Sequence, residues 1–265
     1  MKYFLALFFG GSITLLCACN SRNSELPVFD KQQFTYAGEN RCDTVKNSGV
    51  DVAVSYVLLK DDSDGARNIN DSLRQLAVSS LTGWLDSATI ASNPQAQTDL
   101  AKAAALFAAD YETVRKDMGS LGGCWEVKTA ADTLHVGVKA LTVKFETFAY
   151  TGGAHPNTNL SLYNFDRKTG RLLMLSDLVA DTTALLSVVE KAFRKQQALS
   201  PQNNLEEQGY FLRDGHFFLP ANVGMSSTGM LFYYNPYEIA AYAVGPIQVT
   251  IPYEQLNGIL REDWL

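Results

Sequence analysis

The sequence has few residues of the types from which metal and catalytic sites are usually built. It contains three histidines and four cysteines, and they lack the close spacing of a zinc site. A Gly-x-Ser-x-Gly elbow, a His-Glu-x-x-His helix and a phosphate-binding loop are also missing. We therefore predict neither a metal nor a cofactor, and no known catalytic motif assigns an activity.

Positive charge is also in short supply. The 265 residues include 22 Lys and Arg against 28 Asp and Glu, which gives a net charge of −6. An acidic chain of this kind is not attracted to nucleic acid or to an anionic membrane surface. We predict no nucleic-acid partner, and membrane attachment would need a separate anchor.

Such an anchor is indicated by the first 19 residues. Lys2 precedes an uncharged apolar run that is too short to span a bilayer comfortably but suits a signal peptide. The run ends at Leu16-Cys17-Ala18-Cys19, which resembles the lipobox of bacterial lipoproteins. Residues 1–18 would then be a lipoprotein signal peptide, and Cys19 would carry acyl chains such as palmitate. The alternative is an ordinary secretory signal, cleaved near Ala18, with Cys19 unmodified.

A lipobox also predicts the compartment. The protein would be lipid-anchored in the bacterial cell envelope, at the outer membrane facing the periplasm, with its membrane partner reached through the N-terminal lipid. Removal of residues 1–18 takes away one lysine and no acidic residue, so the net charge changes from −6 to −7. Residues 19–48 are polar, and we interpret them as a tether and N-terminal extension.

Two cysteines remain once Cys17 and Cys19 are set aside. Cys42 and Cys124 form an even pair, and a secreted bacterial chain meets an oxidising periplasm. We predict a disulfide between them; two buried free thiols are the alternative.

The periodicity of apolar residues predicts an α+β fold with mixed, mainly antiparallel sheets and packed helices. An acidic run at 61–65 reads as a solvated turn. Predicted helices span Asn68–Leu85, Gln97–Met118 and Asp181–Gln197, and a short helix begins at Pro252. Predicted strands span Val50–Leu59, Trp125–Val138, Leu141–Tyr150, Asn159–Asp166, Arg171–Leu175, Phe217–Asn222, Met230–Tyr234 and Ile247–Ile251.

The segment Tyr150-Thr151-Gly152-Gly153-Ala154-His155-Pro156-Asn157 concentrates unusual residues. Its glycines permit uncommon backbone angles, and His155 is a titratable group in a loop. His155 as a general base would need a partner that the sequence does not name. The alternative is a turn that His155 pins in place, and we favour this structural interpretation.

Tyrosines concentrate in a second segment, residues 232–246, around the turn Asn235-Pro236. Tyr233, Tyr234 and Tyr237 could form a flat recognition surface, since tyrosine gives a large contact area at low entropic cost. Alternate tyrosines could equally fill a core. As binding candidates we take Tyr150, His155, Asn157, Tyr233, Tyr234 and Tyr237.

Several motifs together carry a family resemblance. Tyr-Thr-Gly-Gly-Ala-His at 150–155, Asn-Phe-Asp-x-x-Thr-Gly at 164–170, Tyr-x-Asn-Pro-Tyr-Glu-Ile at 233–239 and Ile-Pro-Tyr-x-x-Leu at 251–256 resemble the extracellular domain of RsiV-type anti-sigma factors. The same module accompanies some peptidoglycan deacetylases. The resemblance implies a smaller α/β domain at 49–123 and a module at 124–265 that is similar to an Hsp70 ATPase subdomain.

The resemblance also implies a function, since the sensor relatives bind lysozyme. This chain has no cytoplasmic anti-sigma segment and no deacetylase domain. We therefore predict a non-catalytic envelope lipoprotein that binds a cell-wall component, such as a peptidoglycan fragment, or a wall-degrading protein such as lysozyme. The alternative is a small periplasmic hydrolase that uses His155.

Overall fold

The computed structural model describes residues 26–43, 45–118 and 123–264. The predicted signal peptide and the lipidation site at Cys19 lie outside the described residues, so both stay predictions. In the part of the chain that is described, none of the helices combines the length and apolar character needed to cross a bilayer.

The larger of two sheets has six strands in the order β1-β2-β3-β4-β5-β6. Strands β2 and β3 are parallel, and every other neighbouring pair in this sheet is antiparallel. The strands are β1 (Phe29–Ala37), β2 (Gly49–Leu59), β3 (Cys124–Val136), β4 (Ala140–Tyr150), β5 (Asn157–Asp166) and β6 (Leu172–Leu173).

The smaller sheet is antiparallel, and helices pack on both sheets. Its strands are β7 (Asn222–Met225), β8 (Gly229–Tyr234) and β9 (Ile247–Pro252). The helices are α1 (Asp64–Thr82), α2 (Ser87–Ser92), α3 (Leu100–Met118), α4 (Leu175–Leu178) and α5 (Thr182–Gln196). The prediction of an α+β fold with mixed, mainly antiparallel sheets is confirmed, whereas the similarity to an Hsp70 ATPase subdomain stays a prediction.

Helices α1 to α3 form the connection between the parallel strands β2 and β3, and they cover one face of the large sheet. Alternate residues of β2 point to that face, so Val52 and Val54 are buried beside Leu73 of α1 and Phe107 of α3. A second core lies between α5 and the small sheet, around Phe193. The large sheet thus includes strands from both sides of the predicted domain boundary at residues 123/124.

Helix α1 begins at Asp64, four residues before the predicted start at Asn68. The Ser63 hydroxyl accepts a hydrogen bond from the backbone N–H of Ala66 at 3.2 Å and caps the helix. The acidic run at 61–65 is therefore partly a cap and a first helical turn. The prediction failed here because serine and aspartate favour caps and turns alike.

Strand β1 lies within residues 19–48, which we interpreted as a tether and N-terminal extension with a short periodic piece at Gln33–Ala37. It has nine residues and pairs with β2 along its whole length. Only the side chains of Phe29, Phe34 and Tyr36 pack against the helix-covered core. An edge strand with one solvated face needs few apolar residues, which is why its sequence looked like a tether.

The predicted strand Phe217–Asn222 is displaced, because β7 begins only at Asn222. Pro220 has no N–H to contribute to a sheet ladder, and Phe217 packs instead on Phe193, with ring centroids 5.2 Å apart. The predicted strand Arg171–Leu175 shortens to the two residues of β6, and the helix predicted at Pro252 is a 3₁₀ turn over Tyr253–Leu256.

Asparagine side chains join the two sheets. The buried Asn164 of β5 donates to the Val223 carbonyl at 2.8 Å and accepts from the Thr142 hydroxyl and the Met225 N–H. Further along β5, Leu162 donates its N–H to the side-chain oxygen of Asn222 at 3.2 Å. Side-chain amides thus supply hydrogen bonds at an edge where β6 is too short to pair.

The predicted disulfide is confirmed. Cys42 and Cys124 are bonded across a sequence separation of 82 residues, with their α-carbons 5.3 Å apart. The bond ties the loop before β2 to the first residue of β3, and therefore holds the start of the parallel pair.

We expect the double variant Cys42→Ser with Cys124→Ser to unfold at a lower urea concentration than the wild type. Opening a closed loop of this length frees the unfolded chain, which costs about 4–5 kcal/mol of stability in the chain-entropy model. Adding reductant should destabilise the wild type and leave the double variant unchanged. Equal unfolding midpoints in all conditions would contradict this role.

Candidate functional site

The face of the large sheet opposite α1 to α3 carries the candidate site. The small sheet covers this face at one end, where Gly224 approaches Thr142 and Leu162 so closely that an added Cβ would lie 3.0 Å from a Thr142 methyl. Away from this contact the face is open. It forms a cavity of about 540 Å³, which we call the sheet groove.

Two neighbouring rows of side chains line the sheet groove and cross five strands. The strand registers place Gln33, Ser55, Ala130, Glu146 and Leu160 in the first row. The second row consists of Thr35, Ala53, Lys128, Phe148 and Thr158. Small residues lie in the middle of the sheet, and Tyr233 of β8 stands at the side of β4 and β5.

Charges in the sheet groove are balanced. Lys128 forms an ion pair with Glu126 at 2.6 Å, and Glu146 forms one with Lys144 at 3.0 Å. Burial raises the pKa of the Tyr233 hydroxyl, and the nearby Glu146 carboxylate raises it further. Tyr233 therefore stays protonated at neutral pH and can donate a hydrogen bond in the groove.

Three rings form a second feature near the end of β4 and the start of β5. The His155 ring stacks on Tyr242 with centroids 3.8 Å apart and planes 12° apart. Tyr237 lies beside both, with its centroid 5.5 Å from Tyr242 and its hydroxyl 3.3 Å from His155 Nε2. We call His155, Tyr237 and Tyr242 the aromatic cluster.

Both ring nitrogens of His155 have partners within the protein. Nδ1 lies 3.2 Å from the carbonyl oxygen of Pro156, which can only accept a hydrogen bond, so Nδ1 carries the proton. Nε2 lies 3.3 Å from the Tyr237 hydroxyl and, in the neutral ring, accepts its hydrogen bond. In the described part of the chain no carboxylate is hydrogen-bonded to this ring. The arrangement pins the 151–156 loop and offers no free base nitrogen.

The turn that carries Tyr237 is strained and firmly held. Tyr237 has φ of 67°, a left-handed conformation that usually falls to glycine. The Asn235 side chain accepts from the Leu160 N–H at 2.8 Å and donates to the Leu160 carbonyl at 2.9 Å. The Glu238 carboxylate accepts from the N–H groups of Asn235 and Ala221. These bonds hold a backbone conformation that presents a 56% exposed tyrosine.

The predicted binding residues are divided among several places. His155 and Tyr237 meet in the aromatic cluster, and Tyr150 supports it, since the Tyr150 hydroxyl donates to the Gly153 carbonyl at 2.9 Å. Tyr233 lies in the sheet groove. Asn157 lines a separate cavity of about 410 Å³ beside α1.

Tyr234 is not a surface residue. Its side chain is fully buried, and its hydroxyl donates to the Phe218 carbonyl at 2.7 Å. Burial raises its pKa far above the usual range. The core interpretation of the alternate tyrosines therefore holds for Tyr234 and not for Tyr233, because neighbouring residues of a strand face opposite ways.

Several residues of the site were not among the candidates. Tyr242 was noted only as part of the tyrosine-rich segment, although its hydroxyl donates to the Pro156 carbonyl at 3.0 Å. The floor of the sheet groove, with Ala53 and Ala130, was missed as well. A signal existed in the small residues on the solvent face of β2, but their position beside β3 depends on the parallel register.

Comparison with known proteins finds a family match in the second half of the chain. Residues 176–254 match the family described as protein of unknown function (DUF3298). We call residues 176–254 the DUF3298-like segment. This segment runs from α4 to the turn after β9 and includes Tyr237 and Tyr242, whereas His155 and most of the sheet groove precede it. The aromatic cluster thus joins the DUF3298-like segment to the loop between two strands of the large sheet.

Solved structures of DUF3298 proteins share the whole fold. A family member from Bacteroides fragilis NCTC 9343 is 21% identical, with a TM-score of 0.68 over 89% of this chain and 94% of its own. A DUF3298 protein from Pseudomonas aeruginosa PAO1 is 16% identical, with a TM-score of 0.65 over 91% of this chain and 98% of its own. Likeness at this identity establishes the fold alone.

The matches to curated sequence relatives cover a smaller part of the chain. Immunogenic protein MPB64 of Mycobacterium bovis is 24% identical over 132 residues, which is 47% of this chain and 53% of that protein. Immunogenic protein MPT64 of Mycobacterium tuberculosis matches to the same extent. The chain spans about half the length of these curated relatives.

The strain at Tyr237 can be measured with two variants. Tyr237→Ala and Tyr237→Gly both remove the ring, but only glycine relieves the left-handed backbone. We expect Tyr237→Gly to be more stable than Tyr237→Ala by about 1 kcal/mol in urea unfolding. Equal stabilities would show that the turn is unstrained in solution.

Proposed function

We propose that this protein is a non-catalytic recognition protein of the bacterial cell envelope. It is anchored by a lipid on Cys19, and the aromatic cluster binds a wall-degrading protein such as lysozyme, or a cell-wall component. The observation that carries the proposal is the exposed Tyr237 ring, which the protein presents at the cost of a strained backbone.

The contacts of His155 favour binding over catalysis. A general base needs a ring nitrogen within reach of the substrate proton. Here Nε2 accepts from the Tyr237 hydroxyl, Nδ1 faces the Pro156 carbonyl, and one ring face is covered by Tyr242. The ring serves as a fixed platform for its neighbours.

The surface around the aromatic cluster suits a protein partner. Tyr237 and Val244 are exposed by 56% and 53%, and tyrosine in such a setting is a frequent energetic hot spot of interfaces. The net charge of −6 favours a basic partner through long-range attraction. A basic wall-degrading protein fits both properties.

Separate observations support the proposed cellular location. The Cys42–Cys124 disulfide is typical of an oxidising compartment such as the periplasm. The sequence Leu16-Cys17-Ala18-Cys19 resembles a lipobox and supports a lipid anchor in the outer membrane.

Calorimetric titration of the full chain with lysozymes and with soluble peptidoglycan fragments tests the function. We expect one class to bind, and Tyr237→Ala to weaken that binding at least about tenfold. Met174→Ala is the matched control, because Met174 is an exposed apolar residue outside the cluster. The proposal fails if neither class binds, or if Tyr237→Ala binds as tightly as the control.

Lipid anchoring has a separate test. We expect intact-mass measurement to show an acylated Cys19 as the first residue of the mature chain, and the protein to fractionate with membranes. Cys19→Ser should abolish the acyl mass and release the protein from the membrane fraction. An unmodified mature N-terminus near Ala18 in the wild type would instead establish an ordinary secretory signal.

A further inference from the structure

The sheet groove is a second site, and the residues that line it do not include the aromatic cluster. We propose that it binds an uncharged linear oligosaccharide laid across strands β1 to β5. This proposal does not rest on the proposed function, because a different set of side chains carries it.

The shape of the sheet groove suits an extended ligand. Its two rows of side chains cross five strands, and four spacings of about 4.8 Å between strands give a length of about 19 Å. The volume of about 540 Å³ lies inside the range of roughly 300–1,000 Å³ that small-molecule sites occupy. A short chain of linked sugar rings fills such a trough better than a single ring.

Its floor is low because the central strands carry small side chains. Ala53 and Ser55 lie in the middle of β2, and Ala130 lies beside Ser55 on β3. A large side chain at any of these positions would stand in the trough. The small size of these side chains therefore determines the depth of the sheet groove at the middle of the sheet.

The chemistry of the lining matches both aspects of a sugar. Gln33, Thr35 and Thr158 offer amide and hydroxyl groups, and within the described residues their side chains make no hydrogen bond. Phe148 of β4 and Tyr233 of β8 offer aromatic surface beside Thr158, at the end away from β1. Sugar rings have hydroxyl edges and an apolar face, so rows of polar groups beside aromatic rings can bind them.

Charge and backbone geometry exclude other occupants. The lining contains one lysine and one glutamate, and each is paired with a neighbour on its own strand, so an anionic chain would find no free cation. A peptide strand would pair with the backbone at a sheet edge and not lie across a face. An acyl chain would need a continuous apolar lining, which the polar residues of β1 and β2 interrupt.

Amide chemical-shift mapping by NMR on the full chain tests the proposal. The probes are chitotetraose and cellotetraose, with tetragalacturonic acid as the anionic counterpart. We expect at least one neutral probe to shift amides of the sheet groove, and the acidic probe to bind at least about tenfold more weakly. The proposal is overturned if neither neutral probe shifts these amides, or if the acidic probe binds equally well.

Variants locate the binding. Ala130→Trp places a large ring in the sheet groove at an exposed position. We expect it to weaken binding of the neutral oligosaccharide at least about tenfold. Ala101→Trp makes the same change at an exposed alanine of α3 and should bind as the wild type does. Tyr237→Ala should also retain sugar binding, which separates this site from the aromatic cluster. Undiminished binding to a folded Ala130→Trp protein would refute the site.

Discussion

Parallel pairing of β2 with β3 is the constraint on which the rest of the structure depends. Two adjacent parallel strands cannot be joined by a tight turn, so the chain must cross over the sheet before it returns. Here α1 to α3 make that crossover and bury the alternate valines of β2 on one face. Because the helices cover that face, the opposite face is in contact with the smaller sheet and with solvent. The groove therefore follows from the face of the sheet that this one connection covers.

The same pairing explains why the two candidate sites lie where they do. The small sheet meets the large one where Gly224 packs against Leu162 of β5 and Thr142 of β4. Beyond that point the open face begins, and the turn at Asn235 brings Tyr237 to the loop that holds His155. One candidate site is thus built within a sheet, and the other lies where the DUF3298-like segment touches the loop between two strands of that sheet.

Local sequence patterns were enough to predict much of the fold. The apolar stripe of α3, the alternation in β2 and the leftover pair of cysteines were each enough to predict an element or a bond. Strand β1 escaped because an edge strand with one wet face needs little apolar character. The groove escaped because Ala53 and Ala130 become neighbours only through the parallel register. Tyr237 was named as a binding candidate, but nothing in the sequence Asn235-Pro236-Tyr237 indicated that its backbone would take a conformation suited to glycine.

The asparagines that bind along β5 have a consequence for the behaviour of the chain at high protein concentration. A strand edge with unpaired N–H and carbonyl groups can recruit a strand from a neighbouring molecule, which is how many sheets begin to aggregate. Asn235 occupies both backbone groups of Leu160, and Asn222 occupies the N–H of Leu162. These amides imitate a strand without being one, and so they close the sheet to further growth. The side chains that join the two sheets are, in this sense, also a guard against self-association.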